Sequence, residues 1–260
     1  MNNNILRVSI IQSHIEWEDR AKNLHRFGEL LRRTSGRTHL AVLPEMFSTG
    51  FSMRVESVAD AMDGETVSTL KHWASAFEIA IAGSFMASEN GAYYNRAFFV
   101  TPEGEMYCCD KRHLFGMGNE NKHYTAGNRR LVIDYRGWKI CPLVCYDLRF
   151  PVWSRNVRNG YDLLIYVANW PATRRNVWKI LLPARAVENM AYVCGVNRIG
   201  VDGYGYPYGG ESMVCSPRGN RLINAGDGET VRTCLLKKDE MEALRTKFPV
   251  WKDADSFVIE

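Results

Sequence analysis

The sequence predicts a layered α/β sandwich with a mixed sheet, and three observations carry this. Short, strongly apolar stretches of strand length alternate with longer amphipathic ones. Several of the short stretches are apolar at both alternating positions, the pattern of strands covered on both faces. Their connections are partly tight turns and partly helix-length segments, a mixture that a purely doubly wound sheet does not have.

Taken in order, "ILRVSIIQ" reads as a first strand, and 18–33, "EDRAKNLHRFGELLRR", as a helix with Leu24, Phe27, Leu30 and Leu31 on one face. "HLAVLPEM" is the next strand. "VSTLKHWASAF" is a helix following "DGE", and "IAIAGSFMA" is a strand again. "YYNRAFFVTPEGEMYCCDK" reads as a hairpin turning at Pro102-Glu103-Gly104. "WKICPLVCYDL" and "DLLIYVANWP" are strands with a helix-compatible segment between them. Residues 176–194 predict a long helix whose first part Pro183 makes irregular. "VNRIGVDG", "ESMVCSPRGNRLI" and "ETVRTCLL" are further strands, the second turning at Pro217-Arg218-Gly219, and "KKDEMEALRTKF" is a last helix before a polar tail. No linker, repeat or low-complexity tract interrupts the chain, so residues 1–260 are expected to form one domain, with a core over about 5–235 and a C-terminal helix and tail over 236–260.

Composition excludes several classes. A chain of 260 residues can bury a core large enough to need no staple. The net charge of +4 is scattered, and Arg32-Arg33, Arg129-Arg130 and Arg174-Arg175 are dipeptides without a basic stripe, which disfavours nucleic acid as a partner. "MNNNILRVSIIQ" lacks the apolar run of a signal peptide, and no stretch has the length of a membrane span, so a cytoplasmic protein is expected. The seven cysteines lack scaffold spacing and contain no C-x-x-C, so packing explains most of them and no structural metal is expected. The six histidines show no i,i+4 pairing or acidic partner of a metal site, and "GVDGYGYPYGG" reads as a long surface or site-rim loop.

Three polar side chains stand at the ends of buried-looking strands: Glu45, Lys111 and Cys145. Singly each has a plain explanation, since a Glu or Lys past a strand is usually solvated and a Cys in an apolar run usually packs. Together they make a workable acyl-transfer set. A thiol that attacks must lose its proton, a carboxylate can take it, and a lysine with a backbone N–H can stabilise the oxyanion.

In order and context these residues resemble the nitrilase, or carbon–nitrogen hydrolase, superfamily. The matching stretches are "AVLPEMFSTGF", "CDKRHLF" and "LVCYDLRFP", supported by "YNRAFFVTPEGE", "YTAGN", "ANWP", "ARAVENMAYVCGVNR" and "SMVCSPRGN". The resemblance implies a four-layer αββα sandwich with mixed sheets, a catalytic Glu45–Lys111–Cys145 set with Cys145 as nucleophile, and no cofactor or metal. It also implies a homodimer. The second glutamate that many members carry falls on Glu120, which would orient Lys111 or steer the leaving group.

Within the superfamily "CYDLRFP", "KRHLF" and "ANWP" are similar to the bacterial omega-amidase branch. Its members hydrolyse the terminal amide of 2-oxo dicarboxylic acid monoamides, and they serve alongside glutamine transaminases, including those of methionine salvage. Phe150-Pro151-Val152 departs from the Phe-Pro-Glu of related amidases, which loosens comparison with branches using an acid there. The alternatives are another small-amide or N-carbamoyl amidohydrolase of the deaminated-glutathione type and a non-catalytic binding member. For a small anionic amide substrate Arg149 is the nearest cation by sequence, although pairing with Asp147 or a backbone carbonyl would occupy it. Phe47, Phe115, Tyr146 and Trp170 flank the strand ends and are expected to wall the site.

Overall fold

The computed structural model describes residues 4–259. One sheet contains β1 (Ile5–Gln12), β2 (Leu40–Val42), β3 (Asp60–Ala61), β4 (Ala80–Glu89), β5 (Ala92–Val100), β6 (Met106–Asp110) and, from late in the chain, β15 (Thr230–Lys237). Its order is β15-β1-β2-β4-β5-β6, with β3 paired to β4. Strands β1, β2 and β4 run parallel and the others in the main path are antiparallel to their neighbours, so the sheet is mixed. A second sheet repeats the plan with β7 (Ile133–Tyr135), β8 (Trp138–Val144), β9 (Leu163–Ala168), β10 (Tyr192–Asn197), β13 (Met213–Cys215) and β14 (Arg221–Asn224). Its order is β14-β13-β10-β9-β8-β7, with β8, β9 and β10 parallel. A small hairpin, β11 (Ile199–Val201) with β12 (Pro207–Gly209), stands apart.

Strand alternation decides which layer each side chain joins. From β1, Leu6, Val8 and Ile10 enter the core between the sheets, where they meet Ile140 and Val144 of β8, Ile165 and Val167 of β9, and Cys194 and Val196 of β10. Ile11 points the other way, toward Leu24, Phe27, Leu30 and Leu31 of α1 (Arg20–Arg32) and Leu70 and Trp73 of α3 (Glu65–Phe77). On the far side, Trp178, Leu182 and Ala186 of α6 (Arg175–Asn189) pack on Leu164, Tyr166 and Val193. Helix, sheet, sheet, helix is the expected αββα order. Gly195 marks how closely α6 approaches, since a Cβ there would lie 2.4 Å from Leu182. Among the described residues no helix is long and apolar enough to cross a membrane.

The helix expected over 176–194 is shorter. It stops at Asn189, where Met190 takes a left-handed conformation (φ 47°), and Tyr192–Asn197 is strand β10, buried throughout. Tertiary burial between the parallel strand β9 and the antiparallel strand β13 overrides the helical run-on. Pro183 does not break α6 either. It deprives the Lys179 carbonyl of its usual N–H donor, and Arg221 Nη2 donates to that carbonyl at 3.4 Å instead. The segment after Cys145 supplies two 3₁₀ turns, Cys145–Arg149 and Val157–Asn159, and the single turn α5 (Pro151–Ser154). The remaining helices are α2 (Val55–Val58), α4 (Glu120–His123) and α7 (Lys238–Lys247).

Candidate active site

Glu45 lies three residues beyond β2, where Met46 adopts φ 45° and reverses the chain. The reversal is pinned to β4, because Met46 N donates to Ser84 Oγ at 3.0 Å and Phe47 N to Ser84 O at 3.2 Å. Lys111 follows β6 directly and stays in the sheet's bonding pattern through Lys111 N to Asn95 O, 2.9 Å. Cys145 follows β8 and also has a positive φ, 43°, a strained backbone held by its surroundings. Asp147 supplies much of that hold. Its Oδ2 accepts from Val144 N at 3.1 Å, and its Oδ1 accepts from His113 N at 3.1 Å and contacts His113 Nδ1 at 2.7 Å. The His113 ring stacks on Phe150 at 3.6 Å, tying the loop after Lys111 to the turn of Cys145. His113 therefore has an acidic partner, which spacing along the chain did not reveal.

Glu45, Lys111 and Glu120 form one buried ionic cluster. Lys111 Nζ donates to Glu45 Oε1 at 3.1 Å and to Glu120 Oε1 and Oε2 at 3.0 and 2.9 Å. Two residues that sequence reading passed over complete it. Asn95 Nδ2 donates to Glu45 Oε1 at 2.7 Å and to Glu120 Oε1 at 3.1 Å, and Asn169 N donates to Glu45 Oε2 at 2.6 Å. Both asparagines lie in stretches that carried the family resemblance, "YNRAFF" and "ANWP", but a neutral amide gives no charge or periodicity signal. Glu120 opens α4 and is fully buried, where its Oε2 also accepts from Phe115 N at 2.5 Å. It is not a solvated loop acid.

Burial alone would lower the Lys111 pKa, but Glu120 and then Glu45 outweigh it and hold the ammonium charged far beyond its ordinary range. Burial pushes Glu120 up, partly opposed by Lys111. Burial first, and then the negative charge of Glu45, push the Cys145 thiol well above its usual value. Proton loss from Cys145 is therefore disfavoured in the free site.

These groups open into a cavity of about 890 Å³ that Glu45, Lys111 and Cys145 line together with Phe115, Tyr146, Arg149, Asn169 and Trp170. The volume is in the range of small-molecule sites. Phe115 and Tyr146 meet edge to face at 5.1 Å, and the Arg149 guanidinium lies 5.5 Å over the Trp170 ring. Asp147 is engaged by Val144 and His113, and among the described residues Arg149 has no carboxylate partner. Phe47 is not a wall of the site. It is fully buried against Phe27, Trp73 and Phe98 beneath α1 and α3. The glycine-rich loop does form the rim, since Asp202, Tyr204, Tyr206 and Tyr208 line the cavity from the β11–β12 hairpin. Arg198 braces that hairpin, donating to the carbonyls of Ile15, Ile199 and Val201 at 3.0 to 3.3 Å with its guanidinium 4.8 Å over Tyr208. All seven cysteines are free, and Cys109, Cys141, Cys194 and Cys215 are buried.

The pattern of the carbon–nitrogen hydrolase family matches residues 7–246. Omega-amidase YafV of Escherichia coli strain K12 is 45% identical over 97% of this chain and 98% of its own. The 2-oxoglutaramate amidase of Bacillus subtilis strain 168 is 30% identical over 95% and 96%. The crystal structure of a CN-hydrolase superfamily protein from Xanthomonas campestris, with an arsenic adduct in its active site, superposes with a TM-score of 0.97 at 40% identity, covering 98% of this chain and 99% of that one.

Proposed function

The chain belongs to the carbon–nitrogen hydrolase family, and from that membership we propose that it is a cysteine-dependent amidase that hydrolyses the terminal amide of 2-oxo dicarboxylic acid monoamides. In this reading 2-oxoglutaramate or 2-oxosuccinamate becomes the 2-oxo acid and ammonia. The observation that carries the chemistry is the contact of Lys111 Nζ with both Glu45 and Glu120 in the cavity that Cys145 also lines. The substrate class is supported by the names of the relatives at 45% and 30% identity and by the cation Arg149 in that cavity.

In this reading attack and proton loss belong to one step, because burial and the neighbouring Glu45 disfavour proton loss from the thiol alone. As Cys145 Sγ bonds to the amide carbon, its proton passes to Glu45 and the carbonyl electron pair moves onto oxygen. Lys111 and the Tyr146 backbone N–H stabilise that oxyanion. Glu45 then protonates the amide nitrogen, the C–N bond breaks, and ammonia leaves a thioester on Cys145. Water, deprotonated by Glu45, attacks the thioester, and the acid departs as the thiol regains its proton. Glu120 engages Lys111 with both oxygens and holds the ammonium in place, so we assign it positioning and not proton transfer. Phe115, Tyr146 and Trp170 wall the substrate, and Arg149 meets its carboxylate.

One domain carries this chemistry in our reading, since the sheets that supply Glu45 and Cys145 share a single core. We also read the enzyme as a cytoplasmic homodimer acting after a transamination that leaves a 2-oxo acid amide. The exposed Val152, Val157, Ile180 and Val187 on and near α5 and α6 are the apolar surface suited to pairing.

Ammonia release from a panel of amides, nitriles and N-carbamoyl amines tests the reaction. Keto-amides should exceed glutamine and asparagine by hundreds-fold in kcat/KM, because a cationic pocket repels the substrate ammonium. A covalent adduct on Cys145 of acyl mass should appear in rapidly quenched mixtures. Preference for a nitrile or an N-carbamoyl amine would reject the omega-amidase reading.

A further inference from the structure

We infer that Arg174, acting with Arg149, forms the subsite for the substrate carboxylate and makes the enzyme selective for amides with an anionic acyl chain. The inference rests on the amidase reading above and deepens it. Arg174 lines the same cavity as Cys145 and Arg149. Its guanidinium lies 5.1 Å over the Phe115 ring, as that of Arg149 lies 5.5 Å over Trp170. The two positions are joined through Trp170, whose Nε1 donates to Arg174 O at 2.9 Å.

Several other arginines, among them Arg26, Arg54, Arg96 and Arg245, are spent on carboxylates of the protein. Among the described residues neither Arg149 nor Arg174 makes an ion pair, so the planar donor sets of both remain available. An aromatic face orients a guanidinium without consuming its in-plane N–H groups. The place of Arg174 in the chain argues against a purely structural role. It is the N-cap residue of α6, whose first turn contains no acid, and a cation at the positive end of a helix is disfavoured. A bound carboxylate would relieve that conflict. The acidic groups lining the cavity do not compete for it. Glu45 is held by Lys111, Asn95 and Asn169, and Asp202 accepts from Tyr204 N, Tyr206 N and Tyr208 Oη.

The test measures KM and kcat of wild type, Arg174→Met, Arg174→Lys, Arg149→Met and the double Met variant on 2-oxoglutaramate and on a neutral amide, butyramide. It also measures competitive inhibition by 2-oxoglutarate. Arg174→Met should lower the keto-amide to butyramide ratio of kcat/KM by roughly ten- to a hundredfold, mainly through KM, as expected for a lost charge-assisted hydrogen bond. The inhibition constant should rise in parallel, and Arg174→Lys should recover part of both. The double variant should lose less than the product of the single losses if both arginines hold one carboxylate. Equal losses on both amides, an unchanged inhibition constant or strictly multiplicative losses would overturn the inference. Should Arg174→Met fold poorly, Arg174→Gln carries the same comparison. A wild type that does not prefer the keto-amide would instead reject the functional reading itself.

Discussion

The backbone N–H of Asn169 donates to Glu45 Oε2 at 2.6 Å, and Asn169 Nδ2 donates to the Glu45 carbonyl at 2.6 Å, across 124 residues of chain. Glu45 extends from β2 of one sheet and Asn169 from β9 of the other. The carboxylate is thus set from both sides of the sandwich, and its relation to Cys145, at the end of the adjacent β8, depends on the core between the sheets. Groups mounted in this way on rigid elements are positioned before the substrate arrives.

Replacing Cys145 by Ser or Ala should abolish ammonia release while leaving the fold intact, because the side chain lines the cavity and the substitution removes or exchanges only its sulfur. Thermal unfolding and turnover measured on the same preparations check this. Residual activity near that of wild type would remove Cys145 from the nucleophile's role.

Glu45→Gln keeps the shape but removes the base, and turnover should fall about a hundredfold or more. The thiol should respond in the opposite sense. After burial, the charge of Glu45 is the next cause holding the Cys145 pKa up, so its removal should move the titration of the thiol to lower pH. Thiolate absorbance followed against pH, with Cys145→Ser as the blank, measures this. A midpoint that does not fall would contradict the electrostatic account.

Lys111→Met leaves Glu45 and Glu120 buried together without their cation. Breaking a buried pair in this way costs about 3–5 kcal/mol, so a lowered Tm should accompany the loss of turnover. Glu120→Gln should be milder in stability, since Lys111 keeps Glu45, but misplacing the ammonium should reduce kcat by up to about a hundredfold. Calorimetry and kinetics on both variants separate the two effects. An unchanged kcat in Glu120→Gln would remove its positioning role.

Stability should also depend on pH through His39. Burial, then Arg136 and Arg7, lower its pKa from 6.5 to about 4, and Nδ1 accepts from Arg7 N at 3.3 Å in the neutral form. As pH falls below 6.5 the unfolded chain takes up this proton and the folded chain does not until about 4. The His39 contribution to stability is therefore present above 6.5 and is lost progressively as pH falls to about 4. His39→Asn should flatten the decline of Tm between pH 7 and pH 4.5, measured at fixed ionic strength. An identical slope in the variant would show that other groups carry it.

What the sequence determined by itself was the alternation of elements and the grouping of Lys111 and Cys145 directly after strands with Glu45 shortly past one. Burial periodicity is a local property, so Leu24, Phe27, Leu30 and Leu31 announce their shared face without knowledge of what covers it. The resemblance of the motifs added the αββα order and the position of Glu120. Local patterns were weakest where two structures suit the same residues. Tyr192 to Cys194 extend a helical pattern, yet they form a strand because β9 and β13 flank them.

Only the tertiary structure decided how the site is held and charged. Asn95 and Asn169 gain their place from contacts 50 and 124 residues away from Glu45, which no window along the chain contains. Phe47, next but one to Glu45, faces the helices, because the chain reversal at Met46 turns it away from the cavity. The upward shift of the Cys145 thiol likewise follows from burial and then from the neighbouring Glu45, partly opposed by Lys111. Identity can name a nucleophile, but its protonation is a balance of desolvation and nearby charge, and those are set by three-dimensional distance.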